Sequence, residues 1–183
     1  MPQARFVTTL ALFETFPPSV TGIAAEPTDE PPTRFLKNLS AQHKFKDAIT
    51  FCAYLLPRRE AVWWACGCVR GLLGDIAVSR AGPIIAAEAW VHDPDDEHRR
   101  AALEMGRQSD SNDPLSWLAL SAGWSGGALF AHPQHLVPVP AYMTPRAARI
   151  AILLSARIFE PEQYTARMQA CIVDGIKLAE TGL

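Results

Sequence analysis

Leu55-Leu56-Pro57-Arg58-Arg59-Glu60-Ala61-Val62-Trp63-Trp64-Ala65-Cys66 carries a proline, three charged residues and two adjacent tryptophans. Pro57 stops whatever helix precedes it. It also suits the first turn of the next, where a missing N–H would have no intrahelical partner anyway. Adjacent helical residues point about 100° apart, so one face cannot bury both Trp63 and Trp64. Either this helix is wrapped on more than one side, or one of the two indoles faces a partner.

The sequence on both sides reads as helix. Upstream, Phe45, Ala48, Ile49, Cys52, Ala53 and Leu56 fall at helical spacing along residues 43–56. Downstream the apolar run continues to about Leu73, with Gly71 and Gly74 near its end, where left-handed caps are common. Thr33 or Pro32 opens a short helix through Leu39. Residues 82–92 form a further apolar segment. Asp93-Pro94, Asp113-Pro114, Thr144-Pro145 and Glu160-Pro161 each read as a cap followed by a helix. Ile150 to Ala156 is apolar nearly all round, which places that helix centrally, and the amphipathic final helix is expected to cover it. Residues 132–140 hold three prolines and read as an extended surface connection. Only residues 6–12 suggest strand alternation.

The expected fold is all-α, with seven or eight helices packed as stacked helical hairpins. Residues 33–183 form one helical domain, preceded by an irregular, proline-punctuated N-terminal arm over 1–32. The arm's apolar patch at 6–13 docks as a short helix or strand.

Composition bounds the function. The chain has 183 residues, 49% hydrophobic and 20% charged, as a globular domain does. A net charge of −2 gives no broad footprint for nucleic acid. Arg99, Arg100, Arg146, Arg149 and Arg157 are dispersed and offset by acids. No run approaches the roughly 20 apolar residues of a membrane span. Arg5 followed by Phe6–Phe13 superficially resembles a signal core, but Glu14 closes it early and it reads as part of the mature chain. Cys52, Cys66, Cys68 and Cys171 read as buried structural thiols; Cys66 and Cys68 are too close for a Cys-x-x-Cys element. A reducing, cytoplasmic setting fits.

Three groupings carry possible chemistry. Gly123-Trp124-Ser125-Gly126-Gly127 matches the Gly-x-Ser-x-Gly turn of α/β-hydrolases. It follows a helical pattern rather than a strand. Asp174, Glu160 and Glu162 come after His132 and His135, the reverse of the order such a triad needs. The simpler reading is a glycine cap with Gly126 or Gly127 left-handed. His92 to His98 gathers metal-capable side chains, but the acidic run is explained as a helix start. Arg58 and Arg59 stand at the positive end of a helix dipole and so need partners elsewhere, carboxylates above all. No catalytic residue, metal ligand or cofactor is assigned. The candidate binding residues are Arg58, Arg59, Glu60, Trp63, Trp64 and Trp124, because interfaces favour Trp and Arg.

The stretch from Phe51 to Cys66 resembles a signature of an uncharacterised bacterial helical domain family. So do Ala89-Trp90-Val91 with Asp93-Pro94, the Trp124–Gly127 turn, and Val137-Pro138-Val139-Pro140 before Thr144-Pro145-Arg146-Ala147. The resemblance covers residues 33–180 and departs at Ala128, where a small polar residue is expected. Members are often associated with type VI secretion loci. The resemblance implies an accessory or adaptor role toward another protein, with no catalytic residues to carry over. The functional expectation is a non-enzymatic interaction module. A small serine- or metal-dependent hydrolase, or a helical binder of a small apolar ligand lined by Trp63, Trp64 and Trp124, are the alternatives.

Overall fold

A computed structural model describes residues 5–183 apart from 109, 111, 133 and 134. The described residues form eleven α-helices and one two-stranded sheet. Eight helices occupy the positions read from the sequence: α3 (Pro32–Ala41), α4 (Phe45–Leu55), α5 (Arg58–Leu73), α7 (Gly82–His92), α8 (Asp96–Arg107), α9 (Pro114–Gly123), α10 (Met143–Ser155) and α11 (Pro161–Thr181). The three others are short: α1 (Thr9–Thr15), α2 (Pro18–Thr21) and α6 (Asp75–Ser79). Of the two possibilities for the patch at 6–13, the chain takes the helix. Among the described residues, no helix is long and apolar enough to cross a membrane.

The chain is all-α because its punctuation agrees with its periodicity. Asp113 caps α9, its carboxylate accepting from Leu115 N. Gly74 ends α5 at φ 52°, a left-handed conformation that favours glycine. Pro161 sits in the first turn of α11.

α5 is wrapped on several sides, packing against α7, α9, α10 and α11. α10 packs on α4, α5 and α9. The N-terminal segment joins the same core. Leu12, Phe13 and Phe16 are buried, and Phe13 meets Phe35 edge-on at 6.3 Å and Phe51 at 6.0 Å. Glycines let two helices approach closely. A Cβ on Gly123 of α9 would lie 2.6 Å from Leu103 Cα of α8, and one on Gly106 of α8 would lie 2.6 Å from Leu120 Cγ of α9.

Four local readings are corrected. The cap of α8 is Asp95, whose Oδ1 accepts from His98 N at 2.7 Å; Asp93 instead ends α7. α10 begins at Met143, so Thr144 and Pro145 lie inside its first turn and Thr144 is no cap. Proline fits any position of a first turn, since none of those N–H groups is needed, so the Xaa-Pro pair fixes a helix start only to within a residue or two. β1 (Ala128–His132) and β2 (His135–Pro138) pair antiparallel, bulged between Ala128 and Phe130, where the sequence predicts a polyproline-type connection over 132–140. Pro138 is tolerated because β2 is an edge strand and Pro138 pairs beside the bulge. Finally, α11 lies on α3, α4 and α5, and these rather than α10 receive its apolar face.

Candidate functional site

Pro57 precedes the first residue of α5 in extended backbone and offers no side-chain cap. The first two helical residues are both arginines, and their partners are main-chain carbonyls rather than carboxylates. Arg58 Nη1 donates to Ser125 O at 2.8 Å. Arg59 Nε donates to Val91 O at 2.6 Å, and Nη2 reaches His92 O at 3.4 Å. Val91 and His92 close α7, so Arg59 supplies hydrogen bonds and positive charge to the negative end of a neighbouring helix. The device recurs. Arg5 donates to Tyr54 O and Leu56 O at the end of α4, Arg99 to Gly123 O at the end of α9, and Arg167 to Gly71 O in the last turns of α5.

Arg58 thereby fastens the Trp124–Gly127 turn. Gly127 is left-handed at φ 74°, and a Cβ there would lie 2.8 Å from Arg99 Cζ. Arg99, buried beneath the turn, binds Asp96 Oδ1 through Nε (2.8 Å) and Nη2 (2.6 Å). Trp124 is half-buried and meets Trp117 edge-on at 6.1 Å. Ser125 follows a helix, and the hairpin after it is antiparallel, so the strand–turn–helix setting of a hydrolase nucleophile is not formed. The side chains of His132 and His135 lie outside the described residues.

The two tryptophans of α5 separate. Trp64 is 4% exposed and donates from Nε1 to Cys171 O at 2.8 Å, tying α5 to α11. Gly175 allows this approach, since a Cβ there would collide with Cys52 Sγ and lie 3.0 Å from Trp64 Nε1. Trp63 is 46% exposed. Both indoles line a cleft of about 310 Å³ with Gly67, Arg70, Glu88 and Asp174. Arg70 and Glu88 form a bidentate pair across it at 2.6 and 2.7 Å, which raises the Arg70 pKa.

Glu60 faces a different hollow. It lines a cleft of about 510 Å³ with Arg5, Phe6, Leu56 and Leu178. Burial, with Arg58 nearby, pulls the Arg5 pKa down. Its guanidinium lies 5.0 Å from the Phe6 ring centre. Thus the six residues singled out in the sequence do not make one site. Arg58 and Trp124 belong to the turn, Arg59 to the end of α7, Glu60 to the larger cleft, and Trp63 and Trp64 to the smaller. Arg5, Glu88 and Asp174 were not legible, because each cleft joins segments far apart in sequence.

Within the acidic run, ligand atoms of Asp93, Asp95 and His98 lie within 4.8 Å of one another at the surface. Asp95 is engaged as a helix cap, and its hydrogen bond from His98 N holds its carboxyl below the ordinary range. Asp96 pairs with Arg99 and Arg100. All four cysteines are free and buried. Burial pushes the Cys52 and Cys66 thiols well above their ordinary pKa, which suppresses thiolate chemistry.

No curated protein and no solved structure matches the chain significantly. A family of unknown function (DUF6931) matches residues 35–179. That span takes in α4, α5, the Trp124–Gly127 turn and the hairpin. The arginine-fastened turn and the split tryptophan pair described above are therefore features of a chain that belongs to the DUF6931 family.

Proposed function

We propose that this chain is a non-enzymatic protein-interaction module that works in the cytoplasm as an accessory of a bacterial type VI secretion apparatus. One observation carries the interaction reading. Trp63 stands 46% exposed at the mouth of a cleft, next to a tryptophan that is fully engaged inside. An indole kept half in water beside a hollow of about 310 Å³ is the kind of group that dominates protein interfaces. Arg58 and Arg59, by contrast, spend their hydrogen bonds on the fold itself. The secretion setting rests on the likeness of the Phe51–Cys66 stretch to its bacterial signature.

The cleft carries Arg70, Glu88 and Asp174 at its rim. That favours a partner with polar groups around an apolar anchor over a small apolar ligand. Affinity capture with the chain as bait, in cells that encode the secretion apparatus, tests the proposal. A stoichiometric component of that apparatus is the expected prey. Recovery of abundant contaminants alone contradicts it. So does labelling by an activity-based serine probe that is lost in Ser125→Ala.

A further inference from the structure

Tyr142, Arg146 and Arg149 are spaced i, i+4, i+7 at the start of α10, which sets them on one face. Opposite them on α4 stand Thr50 and Tyr54, four residues apart. Arg149 Nη1 approaches Thr50 Oγ1 at 3.5 Å, and that hydroxyl already donates to Lys46 O at 2.7 Å. Tyr54 is wholly buried, pinned by Phe16 at a ring distance of 5.1 Å. Among the described residues its hydroxyl has no hydrogen-bond partner, and neither has the buried Nε of Arg149.

The charge here is uncompensated. Arg70, Arg80, Arg99 and Arg100 each meet a carboxylate. Among the described residues, Arg146 and Arg149 meet none within 4.0 Å. The groups whose charge acts on Arg149 are Tyr54 and Arg146. Tyr54 feels Arg149, Arg146 and Tyr142. Burial holds its hydroxyl in the protonated, donating form despite both arginines. Two guanidinium groups without a carboxylate, and a phenol without an acceptor among the described residues, meet where α4 packs on α10.

We infer that Tyr54, Arg146 and Arg149 form a binding site for a phosphate-class oxyanion. Such a group carries between about one and two negative charges at neutral pH and several strong acceptor oxygens. It answers both deficits together: the charge of the two arginines, and the unmet donors Tyr54 Oη and Arg149 Nε. Entry requires the half-buried Arg149 head group to turn aside on its flexible stem. Arg146, exposed at the rim, supplies the entry charge. The site is independent of the Trp63 cleft and of the interaction proposed there.

Titration with inorganic phosphate against chloride at matched ionic strength, read by calorimetry and by the thermal unfolding midpoint, tests this. Wild type is expected to bind phosphate saturably and to unfold at higher temperature in its presence, with no such response to chloride. Tyr54→Phe is expected to weaken binding about tenfold while its midpoint in phosphate-free buffer stays level or rises, since it removes a buried hydroxyl without a partner. Arg149→Gln is expected to abolish binding; if that variant fails to fold, the exposed Arg146→Gln carries the same comparison. Phenyl phosphate distinguishes the sources. Tighter binding than inorganic phosphate marks a phosphorylated molecule, and equal binding marks the free ion. Identical responses to phosphate and chloride, or full phosphate binding in both arginine variants, overturn the inference.

Discussion

Trp63 and Trp64 show how one residue of helical register divides two identical side chains between fold and surface. The 100° step turns Trp64 onto α11, where its ring is buried and its N–H is satisfied by Cys171 O. The same step leaves Trp63 at a cleft mouth. The energetic consequences differ accordingly. Trp64→Ala removes a large buried ring and its hydrogen bond to Cys171 O, and is expected to cost about 3–5 kcal/mol. Trp63→Ala is expected to change stability by about 0.5 kcal/mol or less. Urea unfolding of the two variants side by side checks this. The sequence makes it plain that the pair must split. It does not say which ring goes inside, because that depends on where α11 lies, and the amphipathic pattern of α11 does not reveal its neighbour.

At the scale of the element, helix starts were legible where an acidic cap stood next to a single proline, as at Asp113-Pro114. They slipped where the signals competed. In Asp93-Pro94-Asp95, two residues could cap, and Asp95 does, because its carboxylate reaches His98 N. That bond holds the Asp95 pKa below its unfolded value, as the Arg99 guanidinium does for Asp96. The sign follows from linkage. A lowered carboxylate pKa contributes stability in full above the unfolded value of about 3.9, and loses it as the pH falls through the lower folded value. Asp95→Asn keeps the cap without the charge. Wild type is therefore expected to lose more stability than Asp95→Asn between about pH 6 and about pH 3, by urea midpoints. The helix ends were less legible. Arg5, Arg59, Arg99 and Arg167 close them across space by donating to carbonyls. A carbonyl is common to every residue, so such a partner leaves no mark in the sequence. Arg99 is the buried member of the set. Arg99→Met, which keeps much of the stem but loses the bonds to Asp96 and Gly123, is expected to destabilise by about 2–3 kcal/mol in the same assay.

For the molecule as a whole, the N-terminal segment is part of the structure that unfolds. Leu12 is fully buried and Phe13 packs between α3 and α4, although the prolines around 17–32 read as an irregular arm. Prolines mark where chain direction changes, and they say little about whether the pieces between them dock. Leu12→Ala is expected to cost about 2–5 kcal/mol and to shift one cooperative transition rather than to detach an arm. Circular dichroism and tryptophan fluorescence monitored together check this, and their midpoints should coincide. The all-α class was legible because local signals and periodicity agreed over eight helices. The small hairpin was not, since its strands are too short and too uniformly apolar to show a period of two, and prolines interrupt them. The clefts were not, since each is made by segments that meet only after folding.

In the proposed interaction Trp63 is the outward anchor. The direct measurement is calorimetric titration of the captured partner with wild type and with Trp63→Ala, after their unfolding midpoints have been matched. The account predicts at least about a tenfold loss of affinity, some 1.4 kcal/mol or more, with the fold intact. Equal affinity for the two proteins contradicts it.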